Sequence, residues 1–128
     1  MIPAPFVILS AELSTETDES NAARTMQLRE ALSGFEFERA DGCYKGTREA
    51  SYIVRCPDER TYGALLLLGR AYSQESVLHV DHGGAAALVF LQDGARLPIG
   101  TFQQVSATEA RALDAFTETA SGEFFAAA

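Results

Sequence analysis

Only two cysteines, Cys43 and Cys56, occur in the 128 residues, and they fall at the turn end of one predicted strand and the far end of the next. At about 3.3 Å per extended residue they lie more than roughly 20 Å apart, outside disulfide reach. Both read as reduced thiols, whose ordinary role is that of a small buried hydrophobe. Basic residues are also scarce: 10 Lys and Arg stand against 18 Asp and Glu, a formal charge of -8 at pH 7. That balance repels a phosphate backbone and argues against nucleic-acid binding, while favouring cationic ligands or basic partners. No apolar run approaches the roughly 20 residues that span a bilayer. The opening MIPAPFVILSAE has neither a basic n-region nor a convincing cleavage site, so a cytoplasmic protein without membrane contact is expected. Histidine is rare, and although His79 and His82 bracket Asp81, no third ligand is near enough in sequence to assign a metal. The tract DHGGAAA lacks the lysine of a phosphate loop. Neither cysteine has a histidine close by to act as its base, so covalent catalysis and a bound cofactor are not expected.

What is present reads as one domain of residues 1–122 with a frayed tail at 123–128, large enough to bury roughly two thirds of its unfolded surface. FVILSA, residues 6–11, is a buried strand. A helix over 21–33 follows, with Ser20 or Asp18 as cap and Gly34 as stop. FEFERADGCY and EASYIVRC form two strands about a short turn at Gly46. Pro57, Asp58 and Glu59 open a second helix that runs through GALLLLGR to about Tyr72. SVLHV, AAALVFL and PIGTFQQV are further strands. Ser106 and Glu109 then make a capping box for a helix over ATEARALDAF. The order β-α-β-β-α-β, with an extra hairpin strand and a short C-terminal helix, predicts a ferredoxin-like α+β sandwich. Its helices would cover one sheet face only, leaving the other to self-association.

The segment GCYKGTREASYIVRC, residues 42–56, carries the chemistry. Tyr44 and Glu49 flank the hairpin tip, where a π face and a carboxylate can serve one pocket. That combination suits a small organic cation. An exposed Glu beside a turn is more often a solvated charge, so the pair gains meaning only from its surroundings.

Those surroundings resemble the phage-encoded S-adenosylmethionine lyases, formerly described as S-adenosylmethionine hydrolases. The likeness covers roughly residues 6–105. It rests on FVILSA, on DESNAAR with Asn21 and Arg24, on the GCY turn, on the strand from Glu49 to Cys56, on SQESVLHV and on LPIGTFQQV, in that order. The resemblance implies cleavage of S-adenosylmethionine to 5'-methylthioadenosine and L-homoserine lactone, at sites between the subunits of a homotrimer. It carries the family glutamate onto Glu49 and the family tyrosine onto Tyr44. Ser10, Phe102 and Gln103 are weaker candidates for substrate-binding walls. It also implies a biological role in lowering the host's methyl donor and countering restriction-type defence. Two alternatives stand beside it: a hydrolase giving homoserine, with Glu49 as base for water, and a non-catalytic acidic decoy of a restriction enzyme.

Overall fold

Eight strands and three helices make up the computed structural model, which describes residues 1–128. In chain order they are β1 (Phe6–Ser10), α1 (Asp18–Ala31), β2 (Phe37–Tyr44), β3 (Thr47–Arg55), α2 (Glu59–Ala71), β4 (Ser76–Val80), β5 (Ala85–Phe90), β6 (Arg96–Val105), α3 (Ala107–Arg111), β7 (Ala115–Thr119) and β8 (Phe124–Ala127). Every strand pairs antiparallel with its neighbours in the order β1-β3-β2-β7-β8-β6-β5-β4, and β4 returns to β1. The sheet is therefore a closed barrel, not the ferredoxin-like sandwich that the order of predicted elements suggested.

Two strands make the difference. The end of the predicted C-terminal helix unwinds after Arg111, and AFTET becomes β7, paired to β2 from Ala40↔Thr119 to Tyr44↔Ala115. Phe124–Ala127, placed by the sequence in a frayed tail, becomes β8 and bridges β6 to β7. An open sheet would have left one face bare. Closure turns that face inward instead, and with it goes the argument for self-association from an uncovered sheet.

Alternation along the strands then feeds two cores. Phe6, Ile8, Ile53, Val80 and Ala86 point into the barrel. Val7, Leu9, Tyr52, Val54 and Val89 point outward and are covered by Leu28 and Leu32 of α1 and Leu65 and Leu66 of α2. β1 is consequently buried along its whole length, which is why its sequence shows no polar alternation.

The helices stand where local signals put them. Thr17 caps α1 by accepting from the Ser20 N–H, with Asp18 and Glu19 in the first turn, so the cap precedes both residues first considered. Asp58 caps α2 through the Thr61 N–H. Near the end of α2, a Cβ on Gly69 would lie 2.7 Å from Leu91 Cδ1; the bare glycine lets the helix sit close on the barrel. The capping box of Ser106 and Glu109 is present and opens α3, which is short. Both cysteines are buried and free. No helix is long and apolar enough to cross a membrane.

Closure through β8 yields a test. Phe125 stacks on Phe102 with ring centroids 5.6 Å apart, and Phe102 meets Phe6 edge-on at 5.5 Å. Removing residues 124–128 should abolish cooperative urea unfolding, because it exposes the edges of β6 and β7 together. Phe125→Ala, at a half-buried position, should cost about 2 kcal/mol, below the ~3–5 kcal/mol of a fully buried phenylalanine. A truncated chain with an unchanged urea midpoint would instead mean that the tail is dispensable.

Candidate functional site

One end of the barrel interior is polar. Ser10, Ser51, Ala40 and Thr119 lie side by side across β1, β3, β2 and β7, and the next layer holds Glu49, Gly42 and Thr117. Ser10, Ser51, Thr117 and Thr119 are buried. Beyond them, Thr47 and Tyr44 form the rim. The interior thus grades from phenylalanine and isoleucine through hydroxyls to a single carboxylate at the mouth.

The rim is shaped by a two-residue hairpin loop. Lys45 and Gly46 both have positive φ, 49° and 82°, the pattern of the type I′ turn that matches strand twist. Lys45 is further held by its N–H donating to the Asp114 carbonyl at 2.7 Å. Tyr44 and Glu49 therefore come to one side, and together with Gly42, Cys43, Lys45 and Thr47 they line a shallow depression of about 400 Å3. Tyr44 is 61% exposed, unusual for so large a ring. Lys45 Nζ lies 5.3 Å from its centroid, so the ring face already receives a cation.

Glu49 has no ion-pair partner. Its neighbour Arg48 points to the other side of the strand and spends its charge there, on Asp41 at 3.3 Å and Glu118 at 2.6 Å. Desolvation pushes the Glu49 carboxyl above its ordinary range, the Ser10 hydroxyl partly offsets this, and the like charge of Glu12 adds to it. Although the side chain is solvent-accessible overall, its head sits at the mouth of a largely apolar vessel. An anionic group so placed, without a cation of its own, can accept a positive group from outside.

Of the residues singled out in the sequence, the structure brings Tyr44 and Glu49 together and places Ser10 just beneath Glu49. It does not bring Phe102 or Gln103 to the depression. Phe102 packs in the barrel core with Phe6 and Phe125, and Gln103, one residue on, takes the opposite, exposed face. Glu12 is the addition: it accepts from the Ala50 N–H next to Glu49, and nothing in the sequence marked it beyond its place at the end of the first strand.

Two larger depressions hold cations as well as carboxylates, unlike the immediate setting of Glu49. In one, of about 610 Å3 beside the end of α2, Arg70 Nε donates to the Leu91 carbonyl at 2.8 Å. In the other, of about 630 Å3, Arg96 meets the Tyr62 hydroxyl at 2.9 Å and His79 Nδ1 at 3.1 Å. Burial, with Arg96 second, holds His79 below the usual histidine range.

The S-Adenosylmethionine lyase family model matches residues 7–128 of the chain. No curated protein matches it. On geometry alone, the Glu49 carboxyl should titrate above 4.5, the ordinary value for glutamate, when followed by carbon-detected NMR. A wild-type midpoint at or below 4.5 would contradict the desolvated setting described for this carboxylate.

Proposed function

The chain belongs to the S-adenosylmethionine lyase family and is an S-adenosylmethionine lyase, and from that premise we propose how its site cuts the substrate and what it releases. The reading is intramolecular displacement. The substrate's own carboxylate oxygen attacks its γ-carbon, the γ-carbon to sulfur bond breaks, and the electron pair goes to sulfur. A five-membered lactone closes and 5'-methylthioadenosine leaves as a neutral thioether. No proton has to be removed, so no general base is required.

Charge decides what each side chain does. The positive sulfonium and negative carboxylate cancel as the ring closes, so an enzyme carboxylate on the sulfur would hold the reactant more tightly than the transition state. The α-ammonium keeps its charge throughout. Glu49 therefore grips the ammonium and folds the methionine arm back, so that the substrate carboxylate faces the γ-carbon. Orientation of this kind supplies roughly 7–11 kcal/mol of a barrier. Tyr44 offers its exposed ring to the sulfonium, displacing Lys45 from that face, or its hydroxyl to the amino acid end. The observation that carries the reading is the unpaired Glu49 carboxylate beside the exposed Tyr44 ring in one depression.

That depression is open and shallow for a substrate that must be shielded from water. A neighbouring copy of the chain, in a homotrimer with sites between subunits, would supply the missing wall. Lowering of a host's methyl donor, and with it relief from restriction-type defence, would follow from the reaction. The hydrolase alternative has one observation in its favour, the raised affinity of Glu49 for protons, which suits a base for water.

Four measurements on the purified protein test this. Reaction in oxygen-labelled water should leave the first-formed lactone unlabelled; label in the initial amino acid product would establish hydrolysis. Glu49→Gln should lower kcat about 10²-fold or more while KM changes roughly severalfold, and undiminished turnover would remove Glu49 from the reaction. Because Glu49 must be ionised to hold the ammonium, its raised pKa means that kcat/KM falls on acidification at a higher pH than an ordinary glutamate would give. Tyr44→Phe against Tyr44→Ala separates hydroxyl from ring: equal losses assign the role to the hydroxyl.

A further inference from the structure

β1 stops pairing with β3 at Ser10↔Ser51, so the next residue of β3, Ala50, has no backbone partner on that side. Side chains take over. The Ser10 hydroxyl donates to the Ala50 carbonyl at 2.8 Å, and the same oxygen accepts from the Glu12 N–H at 3.0 Å. The Glu12 carboxylate accepts from the Ala50 N–H. These bonds form a closed circuit that prolongs the ladder by one residue: Ser10 holds the Ala50–Ser51 peptide by its carbonyl, and Glu12 holds the Glu49–Ala50 peptide by its N–H. On the other side, the Ser51 hydroxyl donates to the Glu49 carbonyl at 3.2 Å.

Glu12 itself is held with unusual completeness for a loop residue. Arg24 Nε donates to the Ala11 carbonyl at 2.7 Å, and Gln74 Nε2 donates to the Glu12 carbonyl at 2.9 Å. Asn21 accepts from the Leu13 N–H at 2.9 Å and donates to the Leu13 carbonyl at 3.0 Å. Asn21 and Arg24 of the DESNAAR segment do not line the depression, yet they build the stretch of chain that carries Glu12. A polar loop does not acquire this many side-chain clamps for its own solvation.

We propose that Glu12 is a positioning residue for the lyase reaction: its carboxylate fixes the peptide at Glu49, and its negative charge biases the Glu49 head outward into the depression. The proposal rests on the role given above to Glu49. It joins two effects, geometric and electrostatic, in one side chain. The other groups around Glu49 leave Glu12 as the charge that matters. Across β2 stand uncharged Gly42 and Tyr44, with Lys45 turned onto the Tyr44 ring. Thr117 of β7 is uncharged, and Arg48 is engaged with Asp41 and Glu118 on the opposite side. Asp18 of α1 and Arg39 of β2 line a cleft with Glu12, and Arg39 pairs with Asp41 at 3.5 Å. The proximity of Glu12 is among the causes that raise the Glu49 pKa.

The two effects separate in a pair of variants assayed with S-adenosylmethionine. Glu12→Ala removes bond and charge, and should lower kcat about tenfold to a hundredfold, the scale of a small misplacement of a positioned group. Glu12→Gln keeps an oxygen for the Ala50 N–H, so it should recover most of that loss. It should also shift the acid limb of kcat/KM to lower pH, and the NMR titration of Glu49 with it, because a like charge is gone. Unchanged kcat in Glu12→Ala, or a Glu12→Gln variant with an unshifted Glu49 titration, overturns the proposal. If Glu12→Ala fails to fold, the titration in Glu12→Gln decides alone. Full turnover in Glu49→Gln would instead bring down the role of Glu49, whatever Glu12 does.

Discussion

Closure of the sheet is the constraint on which the rest of the molecule depends. A strand buried on one side only can be served by one layer of helices, but β1 and β3 carry apolar residues on both sides and need two partners. The barrel supplies the inner one through Phe6, Ile8 and Ile53, and α1 and α2 supply the outer one against Val7, Leu9 and Val54. If β8 did not join β6 to β7, the inner residues would face water. Burial at roughly 25 cal/mol per Å2 of apolar surface makes that loss large against the stability of a domain this size.

The same closure creates a place for chemistry. Each strand contributes alternate residues to the interior, so a change from apolar to polar side chains at one level of the barrel becomes a ring. Here an arc of hydroxyls from Ser10, Ser51 and Thr119 lies between the apolar interior and the level of Glu49, where Thr117 adds a fourth. A carboxylate over such a floor is neither fully solvated nor paired. It gains by accepting a cation from outside, and in the proposed reading that cation is the substrate's ammonium.

Much of this was legible in the residues. The β2–β3 hairpin, α2 and the capping box at Ser106 are written in short-range patterns: a two-residue turn with Gly46, an acidic first turn after Pro57, and Ser and Glu three apart. That Tyr44 and Glu49 come to one side was legible because a hairpin fixes its own register. β7 was not, because the run through Ala112, Leu113 and Ala115 has helical preference, and pairing with β2 overrides it. β8 was not, because FFAA is too short to show a period and owes its extended form to two neighbours distant in sequence. Without those two strands, seeing a barrel in the order of elements was out of reach. Glu12 escaped notice for a related reason: its value lies in an unpaired peptide on another strand, which only the register of β1 on β3 reveals.

The strand that joins β6 to β7 leaves the ribosome after the other seven. Until Phe124–Ala127 has cleared the exit tunnel, the nascent chain can assemble its hairpins and helices but holds a split cylinder with two open edges. Uncovered backbone of that kind pairs readily with another nascent copy, so crowding on one messenger would favour exchange of the final strand between chains. A chain whose β8 docks slowly is therefore the one most open to trading that strand with a second copy.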